Sequence, residues 1–320
     1  MRVVISAILA AMLFGLSPAA AQQPSQEFDL PEDGARPHDV AVDAAGMVWY
    51  TAQRGGKLGR IDPKSGEITL IALGPGSKPH GVIIGPDGAP WVTDNGMNAV
   101  VRVDPATNEV KVWQLPGSAP NANLNTAAFD KRGRIWFTGQ RGYYGVLDPK
   151  TGNMTIYEAP KGIGPYGITA TPSGDIYYAS LAGSYLGYVD IETGIATVIL
   201  PPREDSGTRR VWSDSKGRIY VSEWNSGYLS RYDPKSKSWA SWKAPGEMPH
   251  LYAVYVDETD KVWVSEWSSN SLFRFDPKTE TFERFENDRE DANVRQINGR
   301  KGEVWVPYSG ADRIVGYKTK

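Results

Sequence analysis

Short runs of alternating apolar and polar residues, separated by turns rich in glycine, proline and aspartate, repeat along most of the chain. The unit that begins at residue 38 contains "HDVAVD", "VWYT", "KLGRID" and "EITLIAL". Alternation with a period of two puts successive side chains on opposite faces of a strand, as in half-buried antiparallel sheets. Asp-Pro-x-Ser/Thr-Gly turns, as at Asp62 and Asp148, suit the tight bend before the last run. Each unit is therefore predicted to form four short strands.

The unit recurs seven times. "RIYVSEWNSGYLSRYDPKSKSW" from Arg218 and "KVWVSEWSSNSLFRFDPKTETF" from Lys261 are two of the copies. The spacing is roughly 40–45 residues, which is typical of four-stranded propeller blades. No segment carries a sustained helical period. The second run of each copy contains an aromatic anchor; these anchors are Trp49, Trp91, Trp136, Tyr177, Tyr220, Trp263 and Trp305.

The last unit stops at Lys320 without an outer strand. "QEFDLP" from Gln26 resembles the outer run "VKVWQLP" from Val110. We predict that this N-terminal segment pairs with the last unit, so that the ring closes and no sheet edge is left open there. The predicted fold is an all-β, seven-bladed β-propeller of four-stranded antiparallel blades, forming one domain over residues 22–320.

The first residues predict export. A positive start is followed by the apolar run "VVISAILAAMLFGL" and by "SPAAAQ", which offers a small-residue cleavage site. Residues 1–21 are interpreted as a signal peptide, and a periplasmic or secreted location follows. The chain has no cysteine, which excludes thiol nucleophiles and cysteine-ligated metals. Its formal net charge is -2 and it has no basic stripe, so a nucleic-acid partner is not expected. We expect a monomer without a membrane span.

Polar and aromatic residues begin the innermost strand of each unit. These strands line the central channel of a propeller, and their first residues surround one mouth. The seventh unit is irregular and offers Asn293 or Arg295, while His250 lies two residues before another ring position and faces the same side. Arg209 and Arg210 together are suited to attracting an anionic ligand. The positions eleven residues before the anchors are His38, His80, Asn125, Tyr166, Arg209 and Tyr252.

Carboxylates three residues after an anchor form a second group of candidates. Asp94, Glu223 and Glu266 occupy this position. Carboxylates beside imidazoles are suited to holding Mg²⁺ or to tuning a histidine as a base. Two simpler interpretations stay open: the Pro-His pairs are part of the repeat consensus, and the carboxylates are ordinary rim charges.

"PHGVIIGPDGAPWVTDNGMNAVVRVD" and "VSEWSSNSLFRFD" resemble the blades of the virginiamycin B lyase (streptogramin B lyase) family over nearly the whole mature chain. The resemblance implies a Mg²⁺-dependent elimination that opens cyclic depsipeptide antibiotics, conferring resistance. A histidine removes the proton beside a carbonyl that the metal polarises. By motif, the resemblance implies that His38 contacts the substrate, His80 is the base and Asp94 or Asn95 is a metal ligand, although Lys78 replaces the glutamate expected before Pro79.

A second alignment follows the order of the blades. It gives His250 the role of the substrate-binding histidine, whereas "NVRQINGRKG", where the base would then belong, contains no histidine. Either His80 or His250 is therefore the candidate base. We consider three functions: a carbon–oxygen lyase acting on a lactone or cyclic peptide, a non-catalytic propeller, and a gluconolactonase-type hydrolase. The non-catalytic protein would bind a small molecule, peptide or envelope partner through Tyr166, Arg209 and Tyr252.

Overall fold

The structure is a computed structural model that describes residues 24–320, which form seven four-stranded antiparallel sheets arranged as propeller blades. Apart from a 3₁₀ turn at Glu32–Gly34, the described residues are in strands and loops. Within the same range no helix is long and apolar enough to cross a membrane. The predicted fold class is confirmed. The predicted signal peptide, residues 1–21, lies outside the described part of the chain.

Each of the first six blades uses four consecutive strands, ordered from the channel outwards, beginning with β2. The strands are β1 (Gln26–Asp29), β2 (Pro37–Val42), β3 (Val48–Ala52), β4 (Lys57–Ile61), β5 (Ile68–Ala72), β6 (Pro79–Ile84), β7 (Pro90–Asp94), β8 (Ala99–Val103), β9 (Val110–Gln114), β10 (Leu124–Phe129), β11 (Ile135–Gly139), β12 (Tyr143–Leu147), β13 (Met154–Glu158), β14 (Pro165–Ala170), β15 (Ile176–Ser180), β16 (Tyr185–Val189), β17 (Ala196–Ile199), β18 (Thr208–Ser213), β19 (Ile219–Glu223), β20 (Tyr228–Asp233), β21 (Ser238–Lys243), β22 (Leu251–Val256), β23 (Val262–Glu266), β24 (Ser271–Asp276), β25 (Thr281–Glu286), β26 (Asn298–Arg300), β27 (Glu303–Tyr308) and β28 (Arg313–Lys318).

The N-terminal strand closes the ring, as predicted. The seventh blade has the order β26-β27-β28-β1, and β1 pairs antiparallel with β28 so that Asp29 lies opposite Arg313. The Arg313 guanidinium donates to the Asp29 carboxylate at 2.7 Å and also contacts Glu27. Because β1 comes from the opposite end of the chain, this pairing joins the first and last parts of the propeller.

The hydrophobic core lies between neighbouring blades. One cluster combines Tyr255 and Trp263 of the sixth blade with Val304 and Tyr317 of the seventh. The anchor Trp263 also has a polar contact, since its Nε1 donates to Asp257 at 2.8 Å, in the turn after the inner strand. The same bond is made by Trp49 and Trp136 with the matching turn aspartates. These three anchors therefore fix their blades to their own turns, while their rings pack in the core.

The inner strands surround the channel in chain order. Strands β2, β6, β10, β14, β18 and β22 each contact the next, and β2 also contacts β26 and β27. All of them begin at the same end of the channel. The residues at their starts are therefore brought to one mouth.

Candidate functional site

A backbone irregularity follows the first residue of six inner strands. Pairing with the second strand of the blade shifts register between Pro37 and Val40 in β2, and at the matching places in β6, β10, β14, β18 and β22. A bulge of this kind redirects a side chain away from the sheet. The second residue of each strand is the predicted mouth residue; these are His38, His80, Asn125, Tyr166, Arg209 and Tyr252.

A hydroxyl in the second strand of most blades fixes this bulge. In the first blade the Thr51 hydroxyl accepts the backbone N–H of Asp39 at 3.0 Å and donates to the His80 carbonyl at 2.8 Å. The same bridge to the next blade is made by Thr93, Thr138, Ser222 and Ser265. Adjacent mouth residues are therefore held in a fixed relation.

The two adjacent Pro-His pairs place their imidazole rings against each other. The ring centroids of His38 and His80 are 3.8 Å apart, and the residues are only 4% and 5% exposed. His38 Nδ1 lies 2.8 Å from Asp39 Oδ1, and His80 Nδ1 lies 3.0 Å from the Asn125 carbonyl oxygen. Both partners are acceptors, so each Nδ1 carries the proton. Among residues 24–320, neither Nε2 has a hydrogen-bond partner.

Both imidazoles are neutral at ordinary pH. Burial, followed by the positive charges of Arg210 and Arg295, holds the pKa of His38 well below 6.5. Burial and the neighbouring His38 do the same to the pKa of His80. Each ring therefore presents an unprotonated Nε2, which is the form required of a proton acceptor.

An ion pair crosses the channel beneath the histidines. Asp39 of the first blade accepts hydrogen bonds from Arg210 of the fifth blade. The distance from Arg210 Nη2 to Asp39 Oδ1 is 2.9 Å. Both side chains are buried. Burial raises the pKa of Asp39 even though Arg210 opposes the shift. The pair ties opposite sides of the ring together and orients Asp39 toward His38.

Aromatic rings and a second arginine form the other half of the mouth. The Tyr166 hydroxyl lies 2.5 Å from the Tyr252 hydroxyl, and Arg209 Nη2 donates to Tyr166 at 3.1 Å. The Arg209 guanidinium also lies 3.5 Å from the centroid of the Tyr252 ring and 4.3 Å from that of Trp224. Burial raises the pKa of Tyr166, whereas at Tyr252 burial is outweighed by Arg209 and Arg210, which lower the pKa.

The irregular seventh blade contributes Arg295. Its guanidinium lies 4.9 Å from the centroid of Trp267, and Trp267 stacks on Tyr252 at 5.0 Å. Of the two residues left open by the sequence, Arg295 therefore joins the mouth, while the Asn293 side chain donates to the Asp291 carbonyl.

His250 lies at the rim. Its ring is 4.9 Å from Trp224, and its Nδ1 lies 2.8 Å from the Ser268 hydroxyl. The structure does not place it with His38 and His80: among the described residues its ring contacts Trp224, whereas the rings of His38 and His80 contact each other. Its proposed role as a base stays a prediction.

The three candidate metal carboxylates end the second strands of different blades, and protein donors already surround each of them. Asp94 accepts the backbone N–H groups of Lys78 and Met97 at 2.9 Å. Glu223 accepts two hydrogen bonds from Arg203, at 2.8 and 2.9 Å. Glu266 accepts from the backbone of His250 at 2.8 Å and from two serines in the following turn. These carboxylates therefore fasten the rim loops.

Within residues 24–320, the one group with the spacing of a metal site is His38, Asp39 and His80, whose potential ligand atoms lie within 4.8 Å of one another. Mg²⁺ prefers oxygen ligands and several waters. This group offers two imidazoles and one carboxylate that is already paired with Arg210. The donor set therefore does not fit Mg²⁺, and the predicted magnesium stays an untested expectation.

Sequence reasoning found the ring positions but missed how they are supported. Asp39 and the bridging hydroxyl of Thr51 were not singled out, although the hydroxyl recurs two residues after an anchor in five blades. That regular position was the available signal. Trp224 and Trp267 follow the glutamates of the two "SEW" segments, so the repeated tryptophan, rather than the glutamate, faces the mouth residues.

The channel changes character below the mouth. A small space beside Asp39 and Arg210 continues past Ile83, Ala127 and Ile168. At the opposite opening these apolar residues, together with Trp212, line a cavity of about 320 Å³. The charged groups are therefore concentrated at the end where the inner strands begin.

Comparison with known proteins agrees with this architecture. The model of the virginiamycin B lyase family matches residues 19–102 and 73–320. A search of curated proteins gave no match. A solved streptogramin B lyase structure is 21% identical, with a TM-score of 0.84 over 92% of this chain and 97% of that chain.

A catalytically inactive histidine-to-alanine variant of virginiamycin B lyase from Staphylococcus aureus, solved with quinupristin, gives a similar result. It is 22% identical, with a TM-score of 0.85 over 92% of this chain and 99% of that chain. These structural likenesses establish the fold, and the family model covers nearly all of the described residues. The chain belongs to the virginiamycin B lyase family.

Proposed function

We propose that this propeller is a carbon–oxygen lyase that opens an ester or lactone by elimination, with a buried imidazole as base and no metal in the proton-transfer step. The observation that carries the proposal is the facing pair of neutral histidines, each with its Nδ1 proton committed and its Nε2 without a partner. Family membership supports the reaction class, because similar solved proteins are described as streptogramin B lyases.

We assign proton removal to His38 rather than to His80. Asp39 accepts the Nδ1 proton of His38 and would stabilise the imidazolium that forms, as a carboxylate does in a catalytic triad. His80 is oriented by a neutral carbonyl instead. The roles that the resemblance implied for the two histidines are thus exchanged in this proposal.

The elimination balances without water. His38 Nε2 takes the proton from the carbon beside a carbonyl, the electron pair forms a carbon–carbon double bond, and the bond from the β-carbon to the ester oxygen breaks. The leaving group departs as a carboxylate. The product has the mass of the substrate, whereas hydrolysis would add one water.

The test uses the purified full chain, freed of metal by passage over a chelating resin, with quinupristin and mass spectrometry of the product. We expect a ring-opened product of unchanged mass. His38→Gln should reduce the rate by about 10²–10⁴-fold, the range for loss of a general base, whereas His250→Gln should retain most of it.

Three results would contradict the proposal. A heavier product indicates hydrolysis, and activity that is lost on metal removal and restored by Mg²⁺ indicates a metal-dependent step. Intact quinupristin rejects this class of lactone as substrate and favours the non-catalytic binding protein.

A further inference from the structure

Four buried donors at the mouth lack acceptors. Arg209 Nε, Arg210 Nε, Arg295 Nε and Asn125 Nδ2 have no hydrogen-bond partner among residues 24–320. Asn125 and Arg210 are 0% and 4% exposed, so bulk water does not readily satisfy them. Buried polar groups in folded proteins are nearly always paired, and an exception calls for an absent water, ion or ligand.

The charges at the mouth are also unbalanced. Arg210 is paired with Asp39, but within the described residues neither Arg209 nor Arg295 forms an ion pair with a carboxylate. Both are half-buried. The rim carboxylates Glu223 and Glu266 are occupied by other donors. Two guanidinium groups, 3.5 and 6.0 Å from the centroid of the same Tyr252 ring, thus have no compensating acid.

Aromatic rings hold both groups in place. Arg209 stacks against Tyr252 and Trp224, Arg295 lies over Trp267, and Trp224 and Trp267 contact each other at 5.6 Å. Stacked guanidinium groups keep their N–H edges available, and those edges match the two oxygens of a carboxylate. The arrangement therefore favours a flat anion over a bare cation or a neutral ligand.

We propose that Arg209 and Arg295, with their supporting rings, form a binding site for a small-molecule carboxylate, which in the reaction is the leaving group of the eliminated ester. In that last role the inference rests on the proposed function. A carboxylate forms as the carbon–oxygen bond breaks, so paired guanidinium groups at this place stabilise charge that develops in the transition state. They supply positive charge at a mouth whose donors do not fit Mg²⁺.

The site can be tested without turnover. The full chain, freed of metal by passage over a chelating resin, is titrated by isothermal calorimetry with benzoate and with benzamide, its uncharged analogue. We expect saturable benzoate binding that weakens as salt is raised, and benzamide binding at least about tenfold weaker, which corresponds to loss of about 1.4 kcal/mol. Absence of benzoate binding at millimolar concentrations, or equal binding of both compounds, overturns the site.

Variants locate the binding. Arg295→Gln should weaken benzoate at least about tenfold, a loss of about 1.4 kcal/mol, and Arg295→Lys should restore part of it because charge returns without the fork. The control is Arg231→Gln, which removes a guanidinium 5.3 Å from Trp242 on an outer strand and should bind as wild type. If circular dichroism shows that Arg295→Gln is poorly folded, the benzoate affinities of Arg295→Lys and Trp267→Phe are compared with that of the wild type instead. Unchanged binding in folded Arg295 variants overturns the proposal.

The two proposals fail separately. If benzoate binds through Arg295 but quinupristin stays intact, the anion site stands and the lyase proposal falls. If quinupristin is opened but benzoate neither binds nor inhibits, the lyase proposal stands and the leaving-group site falls.

Discussion

The two ends of the central channel are built from the same strands, yet their chemistry is opposite. Where the strands begin, His38, Asp39 and Arg210 are buried together with unpartnered donors. Where the strands end, Ala41, Ile84 and other apolar groups line a cavity of about 320 Å³. The repeat sets the same backbone at both ends. The chemistry depends on the second and third residues of the inner strands, at the bulge.

The largest expected effect comes from breaking the ion pair that crosses the mouth. Asp39→Asn leaves the buried Arg210 without its counter-charge, which should lower the free energy of unfolding by about 3–5 kcal/mol. Urea denaturation measures this. The matched control is Glu192→Gln, which removes the partner of Arg132 in a pair whose side chains are 49% and 53% exposed and should cost less than about 1 kcal/mol. If both substitutions lowered the free energy of unfolding equally, the buried pair would contribute no more to stability than an exposed pair.

The next effect is a dependence of stability on pH. The pKa values of His38 and His80 are lowered by folding, so below about pH 6.5 the unfolded chain takes up protons that the folded chain does not. The free energy of unfolding should therefore fall as pH drops from about 7 to 5.5, by up to about 2.7 kcal/mol per pH unit for the two groups. The pKa of Asp39 is raised, which acts in the opposite sense in more acidic solution.

Denaturation at several pH values tests the sign and the source. The His38→Gln/His80→Gln variant should show a clearly shallower dependence between pH 7 and 5.5. A slope equal to that of the wild type would show that other groups are responsible.

A smaller effect is expected from the hydroxyl bridge. Thr51→Val keeps the shape but leaves the Asp39 N–H and the His80 carbonyl without their partner, at a cost of about 1–3 kcal/mol. The fourth blade has Ala179 at the matching position. Ala179→Ser should therefore change stability much less, and a loss as large as that in Thr51→Val would indicate that any change at this position is disruptive.

The smallest effect is expected at the apolar opening. Ala170 ends β14, four residues beyond Tyr166, or about 13 Å along the strand. That exceeds the Debye length of about 8 Å at physiological salt, so Ala170→Asp should leave benzoate affinity nearly unchanged. A marked loss would show that the channel responds electrostatically as a whole.

The sequence predicted the fold well because repetition makes its pattern redundant. Seven copies of an alternating pattern specify the blades, and the unmatched "QEFDLP" indicated how the ring closes. The sequence also predicted which residues surround the mouth, because their positions follow from counting eleven residues back from each anchor aromatic.

The relations between blades were not predictable in the same way. The contact of Asp39 with Arg210 joins residues 171 positions apart, and the pairing of Tyr166 with Tyr252 joins residues 86 positions apart. Neither follows from the repeat. The roles of Asp94, Glu223 and Glu266 depend on which local donors each carboxylate meets, which spacing alone does not reveal.

The most direct test of the central claim is ¹⁵N nuclear magnetic resonance of the histidine side chains at pH 6. With three histidines in the chain, the signals can be assigned by single His→Gln variants. We expect His38 and His80 to be both neutral, with the proton on Nδ1 and Nε2 unprotonated. Imidazolium signals, or protons on Nε2, would contradict a buried imidazole base at this mouth.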